Sequence, residues 1–246
     1  MYIHKDHMPL SCDFQADRHL ELILSAGMDG MLGQSWEDEN GAIVATGFFT
    51  YLLGKPAPDP ETERLLRQAC PHCAVPRSSE WRVFLQRFPH KTYIRHKMLP
   101  PGQFDAAKLV HMAHTLPEGF DICAITPAML EDGLITDGEL NIPLAFGSRE
   151  QYFRTGFGFA VFHGEKVVSI ASSYLAYQGE VEVDISTETE YRRLGLASAV
   201  CARFLLECMA RNVTPSWDAQ NPESVRLARK LGFTADHAYE AYVLTP

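Results

Sequence analysis

The chain has 246 residues, is 46% apolar and carries a formal charge of −9 at neutral pH, so it can form one large domain or two small ones. That charge excludes a binder that works by neutralising nucleic-acid phosphates, and no apolar run reaches the length of a membrane span. It suits a cationic, amine-bearing partner. Residues 1–7 lack the apolar core of a secretory leader, so a cytoplasmic location is expected.

Residues 42–53, rich in β-branched and aromatic side chains, predict a strand, and residues 61–69 a helix. Cys70-Pro71-His72-Cys73 follows, with the letters of a thiol-oxidase site or of half a zinc site. A redox pair needs its first cysteine at a helix N-terminus, after a strand, where the dipole lowers the thiol pKa. Here the motif follows a helix and precedes Pro76, and His111 and His114 make only a weak second half-site. A helix-ending loop is the expected reading, and no metal is expected. Residues 80–88 predict a helix, 91–98 a strand, 100–102 a loop and 104–114 another helix. Leu116-Pro117-Glu118-Gly119 then marks a boundary, dividing the chain into a smaller α/β region, 1–116, and a second region, 117–246.

Beyond the boundary, residues 121–126 predict a strand, 127–131 a short helix opened by Pro127, and 148–154 a helical turn. Residues 157–162 and 166–174 predict a hairpin around His163-Gly164-Glu165. Val44, Thr46, Thr50, Tyr51 and Leu52 echo Val167, Ser169, Ser173, Tyr174 and Leu175 at a constant offset. Strands of this composition look alike in any case, so the echo is read as that, with a degenerate copy of the C-terminal fold as the alternative. Val181, Val183 and Ile185 alternate with Glu182 and Asp184, the period of a strand.

Arg192-Arg193-Leu194-Gly195-Leu196-Ala197 comes next and opens a helix. A glycine-bearing turn at a helix N-terminus is an anion site, because free N–H groups converge there and the helix dipole adds positive charge. Gly195 lets the backbone approach a ligand, Ala197 lets the first turn pack tightly, and the two arginines offer planar donors to phosphate. Ala197, Val200, Cys201, Phe204, Leu205 and Cys208 form one apolar helix face on which the thiols act as small hydrophobes. Residues 215–220 predict a strand. Asn221-Pro222-Glu223 then reads as N-cap, first-turn proline and acidic first turn of a helix that Gly232 stops. Strands alternating with helices predict an α/β arrangement, a mixed sheet with helices on its faces.

The turn from Arg192 resembles the Arg/Gln-x-x-Gly-x-Gly/Ala signature of the GNAT superfamily of N-acetyltransferases. Strand, turn, helix, strand, Asn-capped helix and Lys230-Leu231-Gly232-Phe233 follow in that superfamily's order. Residues 182–187, Tyr191-Arg192 and 215–221, with Ser224, Leu227 and Ala228, resemble the subgroup that includes the zwittermicin-resistance acetyltransferase. Gly47-Phe48-Phe49 and Phe146-Gly147-Ser148 extend that likeness upstream.

The resemblance implies the GNAT acyl-CoA N-acyltransferase fold in the C-terminal half. It implies acetyl-CoA as co-substrate and direct attack of an amine on the thioester. It assigns the pyrophosphate to Arg192, Arg193, Leu194, Gly195, Leu196, Ala197 and Ser198. The pantetheine arm and the thioester oxygen fall to the backbone around Val183 and Ile185, and further cofactor contacts to Asn221 and Ser224. The expected acceptor is a small-molecule amine, and the expected state a monomer or homodimer. A protein or peptide amine, or a non-catalytic acyl-CoA sensor, are the alternatives.

Deprotonating an alkylammonium at neutral pH costs on the order of 4 kcal/mol, which a positioned base eases. Glu182 and Asp184 project from one strand face, where paired carboxylates raise each other's pKa, and are the candidate bases, Glu182 first, acting through a water. The other reading of that face is a solvated one. Asp218 is the reserve base or an anchor for a cationic substrate, and Trp217 is expected in the core. Where many GNAT members have a tyrosine as general acid, this chain has Ala228. Tyr174, Tyr177, Tyr239 or Ser173 would have to replace it, or no acid is needed, because the leaving thiolate costs only about 2 kcal/mol at neutral pH.

Overall fold

Gly47, at φ 88°, turns the chain between Ala45 and Phe49. Residues 42–53 therefore form a hairpin of two strands where one was expected, closed by the Thr46 N–H donating to the Phe49 carbonyl at 2.8 Å. The structure, a computed structural model, describes residues 3–6, 8–11, 22–57, 59–69 and 72–245. Its contacts divide the chain into two units, Met1–Arg95 with Ala238–Pro246, and His96–His237.

In the first unit β1 (Ile3–Asp6), β2 (Gln34–Glu37), β3 (Gly41–Ala45) and β4 (Phe49–Gly54) pair antiparallel in succession. β5 (Cys73–Pro76) then runs parallel to β4, with α2 (Pro60–Ala69) between them in sequence. Tyr242, near the end of the long strand Thr234–Leu244, pairs antiparallel with Ala74. α1 (Leu22–Met28) and α3 (Ser79–Leu85) complete the unit. Trp36, Ile43, Leu52, Leu66, Trp81, Phe84 and Tyr242 form its core. β5 was not foreseen: all its residues are buried, so it lacks the alternation that marks a half-exposed strand.

The second unit repeats this succession. β7 (Phe120–Ala124), β8 (Gly158–His163), β9 (Lys166–Tyr177) and β10 (Glu180–Thr187) pair antiparallel, and β11 (Thr214–Ala219) runs parallel to β10. The C-terminal part of β6 (His90–Leu99) pairs antiparallel with β11. α7 (Leu196–Arg211) joins the two parallel strands, and α8 (Pro222–Leu231) follows the second. α4 (Ala106–His114), α5 (Pro127–Glu131) and α6 (Arg149–Thr155) complete the regular helices described. Leu116, the expected boundary, lies inside this unit, whose core takes in Met98, Phe104, Leu109 and Met112 upstream of it.

The mixed α/β class and the mixed sheet are as the sequence predicted. The residue echo does not follow the repeated topology: Thr50, Tyr51 and Leu52 lie on β4, whereas Ser173, Tyr174 and Leu175 lie on β9 rather than β10. Among the described residues no helix is long and apolar enough to cross a membrane.

Candidate functional site

The site begins where two strands part. β10 pairs with β9 along its whole length, but with β11 only at Glu180, Val181 and Glu182, opposite Thr214, Pro215 and Ser216. Beyond that point Trp217, Asp218 and Ala219 pair with Met98, Lys97 and His96 of β6. The β9 register skips Tyr174 opposite the step from Glu182 to Val183, a bulge that raises the local twist and swings β10 aside. The backbone of Val183, Asp184 and Ile185 thus borders a fork with no β11 ladder. Strand backbone groups left without a ladder receive an extended, amide-bearing chain.

Glu182 sits at the base of the fork with 5% of its surface exposed. Its Oε1 accepts from the Asp218 N–H at 3.0 Å, filling the ladder position that β10 vacates as it turns away. The Ser216 hydroxyl also bonds this carboxylate and itself accepts from Lys97 Nζ at 2.5 Å. Burial holds the Glu182 pKa above the usual carboxylate range. The Lys97 charge pulls it back down, and Asp218 pushes it further up. Asp184 is raised by burial too, opposed by the Ile185 N–H at 2.9 Å and Asn141 Nδ2 at 3.0 Å. The expected mutual pairing of Glu182 with Asp184 is therefore replaced: the carboxylate acting on Glu182 is Asp218, and Asp184 is tied to Asn141.

Asn141 stands at φ 53°, ahead of the turn of helix over Ile142–Phe146, so its bond to Asp184 pins that segment to β10. Losing a hydrogen bond to a charged group costs about 1.5–3 kcal/mol. Asn141→Ala is expected to speed amide hydrogen exchange across residues 138–147 by about tenfold or more, the rate equivalent of about 1.4 kcal/mol. Exchange measured by mass spectrometry checks this, and unchanged protection would show that the bond carries no weight.

Following β10, a 3₁₀ turn, Thr189–Tyr191, leads into the glycine turn. Lys166 bridges Glu188 and Glu190 at 3.2 and 3.1 Å and lies over the Tyr191 ring, anchoring the approach. Arg192 Nε donates back to the Thr187 carbonyl at 3.2 Å. Arg193 takes φ 66° and Gly195 φ 88°, so the chain makes two left-handed steps before α7. The first helical bond of the turn runs from the Ala199 N–H to the Gly195 carbonyl, leaving the N–H groups of Leu196, Ala197 and Ser198 ahead of the intrahelical ladder. A Cβ on Gly195 would meet nothing within 4 Å, so there is open space in front of the turn. Leu196 and Ala199 are buried and make the tight packing expected of Ala197, which is half-buried. Ser198 Oγ accepts from Lys230 Nζ at 3.0 Å, placing a lysine of α8 beside the turn.

Asn221 caps α8, its Oδ1 accepting from the Ser224 N–H at 2.9 Å, and Ser224 Oγ accepts from Trp217 Nε1 at 3.0 Å. Both residues thus have structural partners next to the fork strand. Trp217 is core, as expected, and Ala228 is fully buried. Among the hydroxyls considered as acids, Ser173 Oγ donates to the Phe157 carbonyl and accepts from the Phe157 N–H, and Tyr239 belongs to the first unit. Tyr174 and Tyr177 lie on β9, Tyr174 as the bulged residue beside Glu182.

Lys97, Ser216, Asn141 and Lys230 were not foreseen, because each is reached only through tertiary contacts. Cys70 and Pro71 of the C-x-x-C motif lie outside the described residues. Cys73 is buried on β5, where its Sγ accepts from the Tyr93 hydroxyl at 3.0 Å. Burial raises the Cys201 and Cys208 thiols, Cys208 to about 12, in keeping with their apolar role. Among the described residues no cluster suited to a metal ion occurs.

The equivalent place in the first unit is closed. β4 and β5 stay paired from Phe49↔Cys73 to Leu52↔Pro76, and the Arg77 N–H continues the ladder to the Leu52 carbonyl. Trp81 Nε1 and Ser78 Oγ then take the carbonyls of Leu53 and Gly54 at 2.9 and 2.6 Å. At the start of α2, Asp59 Oδ1 accepts from the Thr62 N–H and hydroxyl, putting the protein's own anion where the second unit has open donors. Pro60 supplies no N–H.

The chain is similar to several known proteins. A family profile described as GNAT acetyltransferase matches residues 14–242. A curated relative from Bacillus subtilis (strain 168), the uncharacterized N-acetyltransferase YdfB, is 44% identical over 99 residues. That match spans 39% of this chain and 38% of the relative's length. The crystal structure of a GCN5-related N-acetyltransferase-like protein from Streptococcus suis 89/1591 superposes with a TM-score of 0.81 at 29% identity, covering 92% of this chain and 94% of that one. A tandem GNAT protein from the clavulanic acid biosynthesis pathway shares the fold, with a TM-score of 0.52 at 12% identity, over 85% of this chain and 81% of its own.

Proposed function

Because the chain belongs to the GNAT acetyltransferase family, we propose that it is an acetyl-CoA-dependent N-acetyltransferase acting on the primary amine of a small molecule. The observation that carries this reading is the fork between β10 and β11, bordered by unladdered backbone, with an open anion turn leading into α7. The residues fit the co-substrate. Free N–H groups at Leu196, Ala197 and Ser198, with Arg192 and Arg193, suit a pyrophosphate. The edge of Val183, Asp184 and Ile185 suits the amides of a pantetheine arm. Acetyl-CoA supplies the acyl group as an activated thioester.

The chain's own residues then perform two tasks. A backbone N–H in the stretch from Val183 to Ile185 stabilises charge on the thioester oxygen, the Ile185 N–H being held by Asp184 Oδ1 in the free protein. Glu182, raised by burial, accepts the proton of the amine through a water, and Asp218 is its reserve or an anchor for the cationic acceptor. Asn221 and Ser224 line the cofactor's path at the start of α8. Within the family, the likeness of residues 182–187 and 215–221, with Ser224, Leu227 and Ala228, supports the zwittermicin-resistance subgroup.

The first unit is, on this reading, a degenerate copy of the same fold without a coenzyme A site. Its repeated strand succession, zipped β4–β5 pair and self-capped α2 support this, as does the fold likeness to the tandem GNAT protein. Calorimetric titration with coenzyme A is therefore expected to give one site per chain. Two sites would overturn the degenerate reading.

Incubation with acetyl-CoA and an amine panel, followed by free thiol release, tests the activity. Turnover on small amines supports the proposal, and turnover only on peptide amines reassigns the acceptor. Binding without turnover would make the chain a sensor, and absence of binding would remove the assignment.

A further inference from the structure

Lys97 lies on β6 opposite Asp218 of β11 and is buried, with 8% of its surface exposed. A buried ammonium is costly unless bonded and paired, and a structural role alone is met more cheaply by an apolar residue of the same length. Its Nζ donates to Ser216 Oγ, and the same hydroxyl bonds Glu182. Ser216 is also the last β11 residue laddered to β10, directly opposite Glu182. Lysine, serine and glutamate thus form a chain across three adjacent strands that ends at the base of the fork. We propose that Lys97 is a positioning residue for acyl transfer, holding the Glu182 carboxylate through Ser216 and keeping it charged at the pH of turnover. The proposal rests on the reading of Glu182 as base.

The charged groups acting on Glu182 are Lys97 from β6 and Asp218 from β11, and β9 presents Leu175 opposite it. Removing Lys97 leaves burial and the Asp218 charge opposed only by the bonds from Ser216 and the Asp218 N–H, so the carboxyl takes its proton at higher pH. An opposite charge at close range is worth about one pH unit or more.

Carbon-13 NMR of the free protein, with the Glu182 resonance assigned from Glu182→Gln, reads this directly. Lys97→Met is expected to raise the titration midpoint of Glu182 by about one unit or more. The acidic limb of the kcat/KM profile should move by the same amount, with affinity for coenzyme A unchanged. Lys97→Arg should restore most of the midpoint, and Ser216→Ala, which keeps the charge, should move it less. If Lys97→Met does not fold, Ser216→Ala still decides, since an unmoved midpoint there overturns the proposal. An unmoved midpoint in a folded Lys97→Met overturns it equally. Full activity of Glu182→Gln would instead overturn the reading of the base, and this proposal with it.

Discussion

Glu182→Gln is expected to lower kcat by about 10²- to 10⁴-fold, the range a general base contributes, with coenzyme A affinity unchanged. The substitution keeps the shape of the side chain and one acceptor oxygen, so the bond from the Asp218 N–H survives. What is lost is the ability to take a proton. Stability should move the other way. Burial raises the pKa of Glu182 in the folded protein above its unfolded value, so the folded state binds more protons. Its contribution is favourable below the unfolded carboxylate range and is lost as pH rises through the folded pKa. Glu182→Gln should remove that slope, and thermal unfolding followed from acid to neutral pH should show the variant gaining on the wild type as pH rises. Wild-type turnover in a folded Glu182→Gln would dismiss the residue as base.

Gly195→Val is expected to weaken coenzyme A binding by about 30-fold, equivalent to about 2 kcal/mol. Two causes add. A β-branched residue at φ 88° costs of order 1–3 kcal/mol, so the free turn relaxes away from the shape that aims its N–H groups. The added methyls also enter the open space in front of the turn, where a Cβ meets no protein atom. Since the added Cβ displaces no protein atom, the fold should survive, with the melting temperature lowered by about 2–4 °C for each kcal/mol of strain that the turn retains. Calorimetry with coenzyme A checks the affinity. An unchanged Kd would place the pyrophosphate elsewhere.

The second unit was largely legible in the sequence, because its signals are local. Val181, Val183 and Ile185 alternate, Gly195 and Gly232 mark turns, and Asn221 announces a cap. The glycine turn and α8 needed only such nearest-neighbour patterns. The first unit was less legible for a physical reason: buried parallel strands such as β5 carry no alternation, and Tyr242 joins them from far along the chain. In the site, the carboxylates were visible as residue types, but their neighbours were not. That Glu182 answers to Lys97 and Asp218, and Asp184 to Asn141, depends on which strands adjoin. No spacing along β10 encodes it.

The division of the chain also sets when each unit has all its residues. The second unit is one continuous stretch, His96–His237, whereas the first is completed only by Ala238–Pro246. During synthesis the later stretch therefore owns all its residues before the earlier one does. Until then residues 1–95 lack Tyr242, which belongs to their core and is the antiparallel partner of Ala74 on β5. Domains of most chains fold N-terminal first as they leave the ribosome. Here the stretch that holds the fork and the glycine turn has all its residues in the chain before the unit that precedes it does.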